Sequence, residues 1–371
     1  MDVPTWAPSL TDGVVTLRRH TPEDRDGVLA QCRDPQTQRW TSVPVPYRME
    51  DAEEFLARRE EQWRTGRFLA FAVETDGRFA GTVDLRPNGR GSAEVGYGLG
   101  PWARGRGVMT RSLRLLLGWG FDALDLEVVH WRAVAGNWAS RRAAWKVGFR
   151  VEGLVRGLLP DRTGTLDAWI GSLRRDEPLE PAHPWHTPPE LAGDGVRLRG
   201  HRDTDVMRIA EAGADARTQL WLPQLPSPYT MQDAVVHVED VREQQAAGRS
   251  MFWAVTPPDR DDLAGEVGLV GLAAPSGAGE LGYWAHPDAR GRGLTSQAVH
   301  LAARYALRPV PDGGLGLRRL VIRVAEGNTA SEQVALRAGF QPSGTDREAE
   351  LLRDGTAVDL RRYDLTATDL T

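Results

Sequence analysis

Two short stretches of this chain have the residue types to grip a phosphate. The first, Gly100-Pro101-Trp102-Ala103-Arg104-Gly105-Arg106-Gly107, precedes a segment from Val108 with apolar residues at 109, 113, 116, 117, 121 and 124, a spacing that predicts a helix. The second, Asp288-Ala289-Arg290-Gly291-Arg292-Gly293, precedes a similar segment with Leu294, Ala298, Leu301, Ala302 and Tyr305 on one face. Glycine lets backbone fold closely around a ligand. The first amides of a helix have no internal partner and lie at the positive end of its dipole. Each turn can therefore hold a pyrophosphate through main-chain N–H groups, with the flanking arginines adding charge. The alternative is a solvated Gly/Arg turn, and two copies in the same strand–helix context argue against it. Gly98-Leu99-Gly100-Pro101-Trp102-Ala103 also fits a dinucleotide-binding pattern. Pro101 interrupts it and the helix starts later, so that reading is rejected.

The turns belong to a longer repeat. Asp12-Gly13-Val14 returns as Asp194-Gly195-Val196, and His20 with Asp24 as His201 with Asp205. Asn137, Ser140, Gly148 and Phe149 return as Asn328, Ser331, Gly339 and Phe340, shifted by 191. A period of this size is a duplicated domain rather than a solenoid unit. The 371 residues also suit two domains. Between the copies, Asp176–Pro189 carries prolines at 178, 181, 184, 188 and 189 and little apolar periodicity. The expected organisation is a first domain over 1–177, a Pro-rich linker over 178–190 and a second domain over 191–371. His183 and His186 in the linker read as exposed histidines.

Within each copy the pattern predicts an α/β, or α+β, arrangement on a mostly antiparallel sheet. Val14–Arg18, Leu69–Glu74, Gly81–Leu85, Ala93–Leu99 and Val128–Ala135 read as strands. A helix is expected after Thr21, another over Asp51–Arg64, a third from Val108 and a short one over Ala139–Val147, stopped by Gly148.

Composition excludes several chemistries. Cys32 is the only cysteine, so an intrachain disulfide framework, a cysteine-based zinc site and a Cys-x-x-Cys redox pair are ruled out. Lys146 is the only lysine, so no Walker phosphate loop exists and Schiff-base chemistry would have to use it. The net charge of −5 argues against a nucleic-acid binder. No apolar run approaches the roughly 20 residues that span a bilayer, and Met1-Asp2-Val3-Pro4 does not open a secretion signal. A cytoplasmic protein that binds neither membrane nor metal is the expectation.

Each copy resembles the GNAT superfamily of CoA-dependent N-acetyltransferases, whose signature is Arg/Gln-x-x-Gly-x-Gly/Ala. It stands here as Arg104-Gly105-Arg106-Gly107-Val108-Met109 and as Arg290-Gly291-Arg292-Gly293-Leu294-Thr295, with Met109 and Thr295 in place of the final small residue. Asn137-Trp138-Ala139-Ser140 and Asn328-Thr329-Ala330-Ser331, each ahead of a Gly-Phe, resemble the Rim-type branch that acetylates ribosomal proteins. The resemblance implies tandem domains, each a bent mixed sheet flanked by helices. It also implies acetyl-CoA or another acyl-CoA as co-substrate, its pantetheine between two splayed central strands, here Ala93–Leu99 and Val128–Ala135. CoA would be held by Leu99, Arg104, Gly105, Arg106, Gly107, Val108, Met109, Thr110 and Asn137, and by Ala285, Arg290, Gly291, Arg292, Gly293, Leu294, Thr295, Ser296 and Asn328.

Acyl transfer to an amine needs a proton acceptor, a donor to the oxyanion and a proton for the thiolate. Glu94 and Glu280 are the candidate bases; the alternative for each is a solvent-facing strand glutamate. The main-chain N–H of Leu99 or Ala285 could polarise the thioester. Many family members place an acidic Tyr four residues before the glycine of Gly-Phe, where this chain has Ala144 and Ala335. The Rim-type branch uses the serine instead, which points to Ser140 and Ser331; a helix N-cap is the alternative for both. Asn137 and Asn328 either contact pantetheine or bond backbone. Trp40, Tyr47, Tyr97, Trp221, Tyr229 and Tyr283 are candidate acceptor-pocket residues, against ordinary core packing. His20 and His201 read as helix-entry hydrogen bonders, and Asp167 and Asp359 have no assigned work.

The leading reading is an N-acyltransferase acting on a primary amine of a small molecule, such as an antibiotic or metabolite, in a ternary complex. A protein N-terminal alanine-type acetyltransferase, one active half beside a non-catalytic one, and a CoA-binding sensor without turnover remain open. A homodimer is compatible with each.

Overall fold

A computed structural model describes residues 7–89, 91–193 and 195–370. Met1-Asp2-Val3-Pro4 and Asp194 lie outside the described residues. The chain divides into two compact units, Met1–Ala182 and His183–Thr371.

The first unit runs β1 (Leu10–Thr11), β2 (Val15–Arg18), α1 (Arg25–Arg33), α2 (Pro35–Trp40), α3 (Met49–Ala57), α4 (Arg59–Arg64), β3 (Leu69–Thr75), β4 (Arg78–Gly89), β5 (Ser92–Leu99), α5 (Val108–Ala123), β6 (Val128–Val134), α6 (Trp138–Lys146), β7 (Arg150–Asp161) and β8 (Gly164–Arg174). Its eight strands form one sheet in the order β1-β2-β3-β4-β5-β6-β8-β7. The β5–β6 pair is parallel, and the other pairs are antiparallel. α5 makes the crossover between β5 and β6 that a parallel pair requires. Its Leu113, Leu116, Leu117 and Phe121 are buried against Leu69, Phe71, Leu85, Val129 and Trp131 of the sheet. Each such side chain contributes roughly 1.5–3 kcal/mol by leaving water.

The second unit repeats the order with β9 (Leu191–Gly193), β10 (Val196–Arg199), α7 (Val206–Ala214), α8 (Ala216–Trp221), α9 (Met231–Ala246), β11 (Ser250–Thr256), β12 (Gly265–Val270), β13 (Ala278–Ala285), α10 (Leu294–Leu307), β14 (Arg319–Ala325), α11 (Thr329–Arg337), β15 (Gln341–Leu351) and β16 (Ala357–Thr366). Its sheet has the corresponding order, again with one parallel pair at the centre, β13–β14.

The central pair opens in both units. β5 and β6 are paired only from Ser92↔Val128 to Val95↔Trp131. Beyond that point β6 remains paired with β8 and β5 with β4, so a gap lies between Gly96–Leu99 and Arg132–Val134. β13 and β14 are likewise paired only from Ala278↔Arg319 to Glu280↔Val321.

Three local readings differ from the observed elements. The expected single helix over Asp51–Arg64 is two, α3 and α4, broken at Arg58; its counterpart α9 is continuous. The expected strand Gly81–Leu85 extends through Pro87 to Gly89. Pairing with β3 stops at Leu85, so Pro87 sits where the strand has a neighbour on one side only. The Pro-rich stretch is also stitched down at its C-terminal end. Trp253 Nε1 donates to the Pro189 carbonyl at 2.8 Å and His186 N to the Gln245 carbonyl at 2.9 Å. Among the described residues no helix is long and apolar enough to cross a membrane.

Candidate functional site

The Gly/Arg turns are built alike. A 3-10 turn, Pro101–Ala103 or Pro287–Ala289, leads from the central strand to the glycines. Gly105 and Gly107 have φ of +74° and +79°, as do Gly291 and Gly293, a region that other residues enter only with strain. A Cβ built on any of the four would meet nothing within 4 Å, so the backbone faces open space. Neither α5 nor α10 has a side-chain cap or an acidic residue in its first turn. The first bond back to the turn is from Arg111 N to Gly107 O, which leaves the amides of Val108, Met109 and Thr110 for another acceptor.

The arginines are placed differently from the sequence expectation. Arg104 Nε donates to the Leu99 carbonyl at 3.1 Å, while its other nitrogens reach Asp34 at 2.6 Å, Gln36 at 2.8 Å and Thr37 at 3.0 Å. Arg290 holds Asp215 at 2.5 Å and Thr218 at 2.9 Å. These guanidiniums tie the turn to the start of α2 or α8. Arg106 reaches Asp76 at 2.8 Å. The backbone, rather than the arginine heads, is what the first turn presents.

A cavity of about 760 Å³ starts at this turn in the first unit. It is lined by Gly105, Gly107, Val108, Met109 and Thr110, passes Tyr97, Gly98 and Leu99 on β5 and Asn137–Ser140 at the start of α6, and ends among Phe55, Phe68, Asp84 and Arg86. Gly100 N donates to Ala80 O, so alternate residues Tyr97 and Leu99 direct their amides away from β4, into the gap left by β6. His286 N donates to Ala264 O, which places the Ala285 amide equivalently in the second unit.

Ser140 joins a hydrogen-bonded knot. Tyr97 OH donates to the Ser140 carbonyl at 2.8 Å, Ser140 Oγ donates to Tyr97 OH at 3.0 Å, and Trp131 Nε1 donates to Ser140 Oγ at 3.1 Å. Burial raises the Tyr97 pKa, although Ser140 and Trp131 pull it down, so the phenol stays protonated. Tyr283 OH lies 2.9 Å from Ser331 Oγ and donates to the Ser331 carbonyl at 3.0 Å; burial pushes its pKa up to about 12. Neither serine is the helix cap. Asn137 and Asn328 are, each accepting from the serine's backbone N–H.

The candidate bases are held in ion pairs, and Glu94 lies off this path. Glu94 is ion-paired with Arg132 and with Arg86 at 3.4 Å, and does not line the cavity. Glu280 is paired with Arg323 at 2.7 Å. The carboxylate that does line the cavity is Asp84, on β4 opposite Gly96. A Cβ on Gly96 would come within 2.6 Å of Asp84 Oδ2, so glycine is what admits this carboxylate. Arg86 Nε lies 2.8 Å from Asp84 Oδ1, yet Oδ1 makes no hydrogen bond in good geometry. Burial raises the Asp84 pKa against the pull of Arg86 and Arg59. Sequence reading passed over Asp84. The signal was a lone acid between Val83 and Leu85, and it has meaning only once the register with Gly96 is known.

Of the aromatic candidates, Trp40 and Tyr97 line the cavity. Tyr47 is buried with Val28 and Ala52 instead. Tyr229 packs with Ile209, Ala234 and Val238. The tip of the Trp221 ring is 3.6 Å from a Cβ built on Gly327, as Trp40 is from one on Gly136. Asp167 and Asp359 accept from Gly157 N and Glu348 N, holding irregular stretches of the last hairpins. His20 Nε2 meets Thr82 Oγ1 at 3.2 Å, and the helix-entry bonds come from Thr21 N and Arg202 N to Asp24 and Asp205. Both histidines are therefore corrected: neither caps a helix.

The model of the acetyltransferase (GNAT) domain matches residues 15–150 and again residues 196–341. The chain belongs to this family. It carries two GNAT domains in tandem, and the relatives match a domain's length or part of one. An uncharacterized N-acetyltransferase, YoaA of Bacillus subtilis, is 25% identical over 177 residues, 48% of this chain and 96% of that protein. The ribosomal-protein-serine acetyltransferase of Escherichia coli is 33% identical over 94 residues, 25% of this chain and half of that protein. Among solved structures, Mycobacterium smegmatis RimJ in complex with CoA-disulfide is 24% identical, with a TM-score of 0.43, over 47% of this chain and 90% of that one.

Proposed function

We propose that the GNAT domains transfer an acetyl group from acetyl-CoA to a primary amine by direct attack in a ternary complex. The observation that carries this reading is the continuity of the first domain's cavity, from an uncapped helix N-terminus, past a strand gap, to a buried carboxylate. The glycine cradle and free α5 amides suit a diphosphate, and Arg142 and Lys146 add basic groups to the lining. Acetyl-CoA, when bound, supplies the activated acyl thioester.

The chain's own residues supply the rest. Asp84, its pKa raised, takes a proton from the acceptor ammonium. The Leu99 N–H, aimed into the gap, donates to the oxygen on which charge develops. The new C–N bond forms as the C–S bond breaks. Ser140 Oγ hands its proton to the departing sulfur and takes up in its place the proton that the nitrogen sheds on becoming an amide. The Tyr97 phenol, which accepts from Ser140 Oγ at rest, keeps its own proton and holds the serine in place. In the second domain Ala285 N–H and the Tyr283–Ser331 pair correspond.

The acceptor is read as a small amine. Phe55, Phe68 and Trp40 give apolar walls beside the single acid Asp84, and a cavity of this volume suits a compact molecule. The partial likeness to a ribosomal-protein-serine acetyltransferase favours a second reading, a protein N-terminal amine. Thiol release from acetyl-CoA, measured with small amines and with short peptides bearing free N-termini, tests both. Release with neither class would overturn the transfer reading.

A further inference from the structure

Three side chains meet inside the second unit from distant parts of the sequence. Glu266, on β12, is buried, and its Oε2 lies 2.8 Å from His237 Nε2 on α9 and 2.8 Å from His201 Nε2, just after β10. The three ligand-type atoms all lie within 4.8 Å of one another. Trp284 Nε1 donates to the other oxygen, Glu266 Oε1, at 3.2 Å and fixes the carboxylate plane. The His201 side chain is only 2% exposed, and neither of its ring nitrogens makes a hydrogen bond.

That last fact separates two explanations. If the cluster were only a carboxylate shared by two imidazoles, each near ring nitrogen would donate along its N–H direction. His237 does so, at 2.8 Å. His201 comes as close to the oxygen but is not aligned to donate, which leaves a buried polar atom unsatisfied. A cation between the three atoms would use the His201 lone pair and need no proton there. Two imidazole nitrogens and one carboxylate oxygen are a donor set for zinc-class ions that leaves a fourth position open. The Trp284 bond has the form of an outer-shell support for a ligating carboxylate.

We propose that the second GNAT domain binds one divalent transition-metal ion of the zinc class through His201, His237 and Glu266. The duplication provides the control. At the corresponding positions the first domain has His20, Phe55 and Thr82: His20 Nε2 faces Thr82 Oγ1 at 3.2 Å, and the Phe55 ring meets His20 edge-on at 5.6 Å. One ligand-type side chain cannot hold such an ion. The proposed site departs from the expectation that the chain binds no metal, and it does not depend on the acyl-transfer reading.

The test uses the full chain, stripped with chelator and dialysed against Zn²⁺ or Co²⁺. One equivalent retained per chain is expected, with the visible absorption of low-symmetry Co²⁺. The pair His237→Phe with Glu266→Thr installs the residue types with which the first domain folds, and should weaken retention by more than about a hundredfold. Circular dichroism and the unfolding midpoint verify that the variant is folded, and His237→Phe alone gives the same readout if the pair is not. No retained ion in the parent chain, or retention unchanged in the folded variants, overturns the proposal.

Discussion

Tyr97 and Ser140 exchange two hydrogen bonds, one from the phenol to the serine carbonyl at 2.8 Å and one from the serine hydroxyl to the phenol at 3.0 Å. The knot couples β5, on one side of the strand gap, to α6 on the other. In the second unit Tyr283 and Ser331 make the same link, but Ile322 stands where Trp131 donates to Ser140 in the first.

Removing the hydroxyl in Ser140→Ala should lower first-domain kcat by about ten- to a hundredfold with little change in the KM for acetyl-CoA. Tyr97→Phe should lower it less, because Ser140 keeps its own proton. The assay is thiol release in a Gly293→Val background that silences the second domain. An unchanged kcat in Ser140→Ala would remove the serine from the leaving-group role.

Asp84→Asn should reduce turnover about a hundredfold and flatten the acid limb of the pH–rate profile. Glu94→Gln, which breaks ion pairs with Arg132 and with the cavity-lining Arg86 but removes no group from the lining itself, should change turnover by less than about threefold. The opposite ranking would restore Glu94 as the base.

Valine at Gly107 or Gly293 would have to adopt φ near +79°, which β-branched side chains avoid. Each substitution should remove CoA binding from its own domain, so calorimetric stoichiometry falls from two to one. Two equivalents surviving either change would show that the turns do not hold CoA.

His20 gives a pH-dependent stability with a defined sign. Burial lowers its pKa from 6.5 to about 4. Between those values the unfolded chain binds the proton and the folded chain does not, so stability is full above 6.5 and is lost as pH falls towards 4. The upper limit of this loss is about 3 kcal/mol. His20→Asn should lack this component, seen as the difference between the two proteins' denaturation midpoints across pH 4 to 7. Parallel curves would show that His20 takes up its proton while folded.

The duplication, the Gly-Arg turns and the two GNAT domains were legible in the sequence because each rests on local order. Glycine spacing sets a turn, apolar spacing sets the face of α5 or α10, and a repeated motif needs no third dimension to be seen. The roles of particular side chains were not legible, because they depend on register and on which strand a charge meets. Arg104 has the right type for phosphate, but Asp34 claims it across the fold. Glu94 and Asp84 are both strand acids, and only the pairing of β4 with β5, with Gly96 opposite Asp84, decides which one enters the cavity. His201, His237 and Glu266 are far apart in sequence and share no motif, so their meeting is a product of tertiary packing alone.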